Sequence, residues 1–209
     1  MGAMIYDLEQ GTQEWLSIRS GIPTCSELSK IFSKGRGDKA FGVGAYTYIY
    51  ELIGEQITGE PRDSFSTVNT ERGHVHESVA IELYELQNDV SVSSCGFMKN
   101  SKIGYSPDGL VGEKGLVEIK SKLPKFQVEI LHLGVLPSEH YHQCLGGLYV
   151  SDREWIDFVS YCPSLPLFVK RLYRNESEIQ ELENRIDQFL EELQRVKQKV
   201  LSGVFNEPN

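Results

Sequence analysis

The run SPDGLVGEKGLVEIKSK, residues 106–122, restricts the possible folds most, because apolar and polar residues alternate on both sides of a glycine-bounded turn. Such alternation predicts a β-hairpin whose apolar face lies in the core. In the second strand Glu118 and Lys120 then project from one face, while Val117 and Ile119 project from the other. Two opposite charges therefore share one wall of the same pocket.

The length of the turn decides which residue faces Glu118. A two-residue turn at Glu113 and Lys114 would place Asp108 opposite Ile119, on the wrong face. A loop of three or five residues, or a bulge, pairs Asp108 with Glu118 instead, and we predict such an irregularity. Two converging carboxylates repel unless a cation neutralises them, and oxygen ligands of this kind suit Mg²⁺ or Mn²⁺.

A lysine beside such a metal has an obvious chemical use. It can orient or activate a water molecule and stabilise charge that develops on a phosphate, which phosphodiester hydrolysis requires. The bare pattern Asp-x₉-Glu-x-Lys is weak by itself, because exposed hairpins often carry these residues. It therefore indicates a nuclease site only together with other matching segments.

The remaining periodicities predict an α/β (α+β) fold with a mixed central β-sheet flanked by helices. Thr24 and Glu27 have the spacing of a capping box at the start of one helix. The predicted helices lie at about 12–20, 25–33, 42–58, 71–87, 124–133, 138–150 and 176–200, and the strands at about 90–98, 102–110, 115–120, 155–162 and 167–174.

We expect a single domain spanning residues 1–209. The composition, 40% hydrophobic and 24% charged residues, is ordinary for a globular protein, and no linker divides the chain. Its expected parts are an N-terminal helical part at about 10–60, a core at about 70–175 and a C-terminal helix at about 176–200. The four cysteines are far apart and form no Cys-x-x-Cys pair, so we expect reduced, buried thiols. No apolar run is long enough to span a membrane.

Charge is distributed unevenly along the chain. The formal net charge is −9, and residues 176–194 alone carry −6, so the remainder carries −3. Residues 30–39, KIFSKGRGDK, are locally basic. An acidic total therefore does not exclude a nucleic-acid site.

The hairpin resembles the PD-(D/E)xK nucleases, and the surrounding chain is similar to phage lambda exonuclease and the related YqaJ-type viral recombinases. The matching segments, in the family's order, are GTQEWLSIRSGIPTCSEL, ERGHVHESVAIELYE, the hairpin and HYHQCLGGLYVSDREWIDFVSY. This resemblance implies a restriction-endonuclease-like core. The chain departs from the family pattern at EIKSKLP, which carries an additional Lys122, and at Glu71 and Arg72, which replace an aromatic residue before Gly73.

The resemblance also implies a role for each matched residue. Lys120 would serve the attacking water, Glu77 matches a helical acid near the second metal position, and Gln143 matches a glutamine that helps hold the lysine and the substrate. Together with Asp108 and Glu118 these three form the implied catalytic set. The implied ligands of two Mg²⁺ ions, which Mn²⁺ can replace, are Asp108, Glu118, the carbonyl of Ile119, and Glu77.

The N-terminal segment offers donors for a phosphate. Arg19 and Arg36 carry planar guanidinium groups, and Thr24 and Ser26 carry hydroxyls at a predicted helix N-terminus, a combination that suits a terminal phosphate dianion. In the resembling exonuclease these positions hold the 5′-phosphate of the degraded strand. Taken alone, Arg19 would suit a surface salt bridge and Thr24 a helix cap.

The paired histidines do not indicate a zinc site. His74 and His76 lie two residues apart on a helix and face different directions, and His140 and His142 are spaced in the same way. We therefore leave all four out of the metal site, although His76 could support Glu77.

The leading hypothesis is a metal-dependent 5′-to-3′ exonuclease that degrades one strand of double-stranded DNA from a 5′-phosphorylated end to mononucleotides and leaves a 3′ overhang. The resemblance further implies a homotrimeric ring, a single-strand annealing partner in recombination, and a phage or prophage protein acting in the bacterial cytoplasm. The alternatives are a non-catalytic protein that binds DNA ends and an endonuclease of the same superfamily. An iron–sulfur branch of that superfamily clusters cysteines after the core, which this chain does not.

Overall fold

The structure of the protein, a computed structural model, describes residues 2–37, 40–61 and 68–203, without the side chains of residues 68–75. Four helices follow a first short strand, five strands come next, and the last described helix is the longest. The helices are α1 (Gln13–Arg19), α2 (Leu28–Phe32), α3 (Val43–Thr58), α4 (Val68–Asn88), α5 (Pro124–Leu133), α6 (Ser138–Ser151) and α7 (Glu176–Ser202). The strands are β1 (Met4–Tyr6), β2 (Val92–Ser93), β3 (Phe97–Lys99), β4 (Gly104–Tyr105), β5 (Gly109–Val111), β6 (Gly115–Ser121), β7 (Trp155–Tyr161) and β8 (Phe168–Tyr173).

The main sheet is mixed, as predicted. It has five strands in the order β2-β5-β6-β7-β8, in which only β6 and β7 are parallel neighbours. Helices α5 and α6 form the crossover between these two parallel strands. Because of this crossover, α6 contacts β6 and β7 on the face that carries Glu118 and Lys120.

A second, three-stranded antiparallel sheet, β1-β3-β4, was not predicted. The predicted strands 90–98 and 102–110 each divide between the two sheets. Between β2 and β3, the carbonyls of Cys95 and Gly96 accept hydrogen bonds from Gln10 (3.1 Å) and Trp15 (3.2 Å). Between β4 and β5 lies Pro107, which has no N–H for a ladder. The Gln10 amide also donates to the Pro107 carbonyl at 2.9 Å, so side-chain contacts replace strand pairing at both breaks.

Both faces of the main sheet are covered. Leu116, Ile156 and Phe158 join the larger core, which contains buried residues of α2, α3, α6 and α7. The opposite face contributes Val117 and Ile119 to a smaller core shared with α4. The predicted alternation of side chains along β6 is therefore confirmed.

Two adjacent glycines allow α6 to lie unusually close to its neighbours. A Cβ added at Gly146 would collide with Leu28 and lie 2.9 Å from the Cys25 sulfur. One added at Gly147 would lie 2.9 Å from the Tyr105 ring. The same helix thus packs directly against both the turn after Thr24 and the strand that carries Tyr105.

The N-terminal segment differs from its prediction in one detail. The predicted helix 25–33 is a 3₁₀ turn at Cys25–Glu27 followed by the short α2. Thr24 makes no side-chain cap, so the capping box was wrong. Its N–H donates to the Tyr48 hydroxyl at 2.9 Å, and its hydroxyl lies 3.2 Å from that of Ser26. Contact with α3 and with Gly104 of β4 fixes this turn in place of capping.

The long α7 buries an apolar stripe against α2, α3 and α6. This confirms the packing face that its sequence predicted. Part of its acidic face pairs with Lys102, whose ammonium lies 3.0 Å from Glu183 and 2.6 Å from Asp187. All four cysteines are free and buried, as expected. None of the helices in the described ranges is long and apolar enough to cross a membrane.

Candidate active site

The turn between β5 and β6 has the length that the site requires. The strands pair from Gly109 opposite Val117 to Val111 opposite Gly115, which leaves a three-residue loop at 112–114. Continuing the register by one residue places Asp108 opposite Glu118. The predicted irregularity is therefore confirmed in one of its possible forms, a three-residue loop, which brings the two acids together.

Glu118 is held by three donors from three elements. It is 1% exposed, its Oε2 accepts the Tyr105 hydroxyl at 2.9 Å, and its Oε1 accepts the Lys120 ammonium at 2.6 Å. The side-chain amide of Gln143, on α6, also donates to Oε1. A buried carboxylate needs such partners, because an unpaired buried charge is very costly.

Asp108 lies just before β5 and is half-buried. Its Oδ2 accepts the backbone N–H of Ile119 at 2.5 Å. Burial and the adjacent Glu118 carboxylate raise the pKa of Asp108 well above its usual range, although Lys120 acts in the opposite direction. The two acids therefore repel one another in this pocket, and a bound cation would relieve the repulsion.

Lys120 is a cation in this environment. Burial alone would lower its pKa, but the Glu118 and Asp108 carboxylates outweigh burial and raise it. A lysine whose pKa is raised keeps its proton at neutral pH and so can orient water and stabilise anionic oxygens. It is poorly suited to accept a proton from that water.

Glu77 lies on α4, which packs on the opposite face of β6. Its charge reaches Asp108 and raises that residue's pKa further. The described hydrogen bonds to Glu118 come from Tyr105, Lys120 and Gln143, and Glu77 acts on Asp108 through its charge. His76 lies beside Glu77, and its Nδ1 is 2.7 Å from the Ser121 hydroxyl. The side chain of His74 lies outside the described residues.

The donor set fits a hard divalent cation. Within the described ranges, no group of three or more His, Cys, Asp or Glu side chains is arranged to hold a metal. Mg²⁺, however, is usually bound by one or two carboxylates together with water and substrate phosphate. The Ile119 N–H points towards Asp108, and a strand residue's carbonyl points to the same edge as its N–H. Asp108, Glu118 and this carbonyl would therefore supply the protein ligands.

Arg19 and Thr24 line a cavity of about 150 Å³ at the N-terminal part of the fold, together with Trp15, Ser20 and Tyr48. The Arg19 guanidinium stacks on Trp15, 3.7 Å from the ring centre. The buried Ser20 hydroxyl has no hydrogen-bond partner within the part of the chain that the structure describes. A buried polar atom of this kind indicates a ligand or water in the cavity.

Ser26 and Arg36 are exposed and do not line this cavity. Ser26 is nonetheless linked to it through the contact with Thr24. The sequence prediction missed Ser20, which directly follows Arg19, and Tyr105, which lies three residues before Asp108. Nothing in the local pattern distinguishes either residue from an ordinary core or cap residue.

Cys25 connects the cavity to the acids. Burial raises the pKa of its thiol, and the charges of Glu118 and Arg19 also reach it, in opposite directions. The thiol is fully buried and packs against α6. The Arg19 and Glu118 charges therefore act on the same buried side chain.

A mixed sheet that carries two acids and a lysine on paired strands, with a glutamine from the crossover helix, is the core of a PD-(D/E)xK nuclease. Residues 14–154 match the YqaJ-like viral recombinase domain, and the chain belongs to that family. The resemblance that the sequence motifs indicated is therefore confirmed. A search of curated protein sequences found no significant match.

Solved structures agree with this assignment. The alkaline exonuclease LHK-Exo from Laribacter hongkongensis has 29% identity and a TM-score of 0.82, covering 91% of this chain and 97% of its own. Its complex with dAMP has 30% identity and a TM-score of 0.81, covering 90% and 96%. A phage-related exonuclease from Haemophilus somnus 129PT shares the fold at 17% identity and a TM-score of 0.66, covering 90% and 98%. The family and these structures support a nuclease.

Proposed function

We propose that the protein is a metal-dependent 5′-to-3′ exodeoxyribonuclease that degrades one strand of linear double-stranded DNA from a 5′-phosphorylated end. Its products would be mononucleotides and a 3′ overhang for recombination by strand annealing. The observation that carries the proposal is the convergence of Lys120 and Gln143 on Glu118, beside Asp108. The dAMP complex of the 30% identical relative supports a deoxynucleoside monophosphate as the product.

In this proposal Lys120 holds the attacking water in line and stabilises negative charge on the scissile phosphate. Tyr105 and Gln143 keep Glu118 correctly oriented. Mg²⁺, with Mn²⁺ as a substitute and two ions per site, would activate the water and neutralise the phosphate oxygens when bound to Asp108, Glu118, the Ile119 carbonyl and Glu77.

The end of the degraded strand would be held at the cavity of Arg19. A guanidinium fixed by stacking offers two parallel donors to a phosphate, and the Thr24 and Ser20 hydroxyls supply further polar contacts. Ser26 and Arg36 remain proposed phosphate ligands on their sequence pattern. Holding the end at a fixed distance from Lys120 would set the register of cleavage.

The proposed partners follow from the family. They are double-stranded DNA ends, two further copies of the chain in a homotrimeric ring, and a single-strand annealing recombinase. The proposed location is the cytoplasm of a bacterial host, with the gene carried by a phage or prophage. The acidic face of α7 would lie on an outer or intersubunit surface, away from DNA.

The test compares linear duplexes carrying a 5′-phosphate, a 5′-hydroxyl or a 3′-phosphate with a closed circle, in Mg²⁺, Mn²⁺ or EDTA. We expect cation-dependent release of mononucleotides from the 5′-phosphorylated linear duplex and none from the circle. Lys120→Ala should abolish release, whereas Lys114→Ala, at the exposed hairpin loop, should retain it. Arg19→Lys should reduce the preference for a 5′-phosphate, because the planar fork is lost.

Other outcomes would replace the proposal. Cutting of the closed circle would assign the protein to the endonucleases of the superfamily. Binding to DNA ends without cleavage in any divalent cation would make it an end-binding protein.

A further inference from the structure

A second cluster of charged side chains continues the rows that form the active site. Lys122 directly follows β6 and extends its pairing with β7, since its N–H donates to the Tyr161 carbonyl at 2.8 Å. Along α6, Glu139 and His140 lie one turn before Gln143. The Lys122 ammonium is 2.6 Å from Glu139 Oε1 and 2.7 Å from His140 Nε2. Neither the acid pair nor the cavity of Arg19 uses these three residues.

His140 holds Lys122 in place. Its ring stacks on the fully buried Phe158, with centroids 5.3 Å apart. Burial lowers the pKa of His140 to about 4, and the nearby Lys122 and Lys120 charges act in the same direction. The imidazole is therefore neutral near pH 7 and accepts a hydrogen bond from the ammonium. Only 16% of the Lys122 side chain is exposed, so the cation has a defined position.

Glu139 holds Lys122 much less firmly. Its side chain is 64% exposed, and exposed ion pairs contribute little to stability. An approaching anion can therefore replace the Glu139 carboxylate at low cost. His140 would remain in contact with the ammonium during the exchange.

Resting on the proposed function, we propose that Lys122 is a phosphate-positioning residue that binds the DNA phosphate next to the scissile one, in exchange for Glu139. Side chains two apart on one face of a strand are about 7 Å apart, comparable with consecutive phosphates along a DNA strand. A phosphate at Lys120 therefore places its neighbour near Lys122. Asp108, Glu118 and Glu77 repel that neighbour, and Lys122 is the cation placed to offset the repulsion.

The test removes the charge from each side of the proposed contact. Duplexes carry a single neutral methylphosphonate at successive positions near the 5′-phosphorylated end, and binding is measured in EDTA and the KM and kcat in Mg²⁺. We expect a methylphosphonate at one position next to the scissile phosphate to weaken DNA binding by the wild type about tenfold. The same methylphosphonate should have little effect on DNA binding by Lys122→Gln. Lys122→Gln should raise the KM with little change in kcat and reduce the slope of log Kd against log salt by about one.

The chain provides matched controls at the other end of β6. Lys114 directly precedes β6, and Lys122 directly follows it. Lys114 pairs with Glu154 at 2.8 Å, in the same way that Lys122 pairs with Glu139. Lys114→Gln should keep the methylphosphonate sensitivity and the wild-type KM, and Lys122→Arg should restore binding. Glu139→Gln should tighten DNA binding more than Glu154→Gln, and the difference should vanish in the Lys122→Gln background.

The inference is overturned if Lys122→Gln keeps the wild-type sensitivity at every methylphosphonate position, or if Lys114→Gln raises the KM equally. A wild-type protein that neither binds nor cleaves DNA ends would instead overturn the proposed function itself.

Discussion

The Tyr105 hydroxyl donates to Glu118 Oε2 at 2.9 Å, while Lys120 and Gln143 both donate to Oε1. Burial and the charges of Glu118 and Asp108 raise the pKa of Tyr105 well above its ordinary value, so it remains a donor at any physiological pH. Strands β4 and β6 and helix α6 thus jointly fix both oxygens of one buried carboxylate.

Tyr105→Phe should impair catalysis as well as stability. Loss of a hydrogen bond to a buried charge lowers the free energy of unfolding by roughly 1.5–3 kcal/mol, and misorientation of Glu118 should lower kcat about tenfold. The control is Tyr84→Phe, which removes a similar bond, 2.6 Å long, to Asp157 on the other face of the sheet. Denaturant unfolding should show a comparable loss of unfolding free energy in both variants. An equal kcat in both would contradict a role of Tyr105 in orienting Glu118.

Lys120→Met should make the fold depend on divalent cations. Without the ammonium, the two acids lack their counter-charge, and breaking such a partly buried pair costs up to about 3 kcal/mol. Mg²⁺ binding to the folded state would offset this cost, so its addition should raise the Tm more in Lys120→Met than in wild type. Lys114→Met is the control. An equal Mg²⁺ effect on all three proteins would argue against a cation at Asp108 and Glu118.

His140 should make stability fall in mild acid. Its folded pKa of about 4 lies below the ordinary value of 6.5, so the unfolded chain binds more protons between these values. Stability is therefore lost as the pH falls from about 6.5 to about 4. His140→Gln should lose less stability over this interval in a series of Tm measurements, whereas a change at the exposed His132 of α5 serves as control. An unaltered pH dependence in His140→Gln would be inconsistent with a buried, neutral imidazole.

Gly146→Ala should destabilise the fold through overpacking. The added methyl group would meet Leu28 and the Cys25 sulfur, at a cost of about 1–3 kcal/mol. Gly54→Ala, in the interior of α3, meets nothing within 4 Å and should be neutral or stabilising by up to about 1 kcal/mol. Chemical denaturation of both variants provides the comparison, and similar unfolding free energies would show that α6 can move away from the turn at little cost.

The hairpin was predictable because its information is local. The alternation of β6, the glycine-bounded loop and the requirement that Asp108 face Glu118 together predicted a loop of three or five residues or a bulge, and the register shows the three-residue loop. Periodicity likewise located the long helices. Roles for Glu77 and Gln143 came from the family resemblance, since an acid and an amide on helices carry no signal of their own.

Other features depended on contacts distant in sequence. The division of two predicted strands between two sheets follows from Gln10 and Trp15, which bind backbone groups more than 80 residues away. Thr24 and Glu27 had the correct spacing for a cap, but tertiary contacts to Tyr48 and Gly104 determined the local conformation. Ser20 and Tyr105 acquired their significance only when burial and partners were known.

Helix α6 touches the turn after Thr24 through Gly146 and the support of Glu118 through Gly147 and Gln143. If the DNA strand is bound at the turn after Thr24 and cut beside Glu118, the distance between the two sites is set by the packing of α6 and not by a flexible loop. The number of nucleotides removed in each turnover would then be determined by the packing of helix α6.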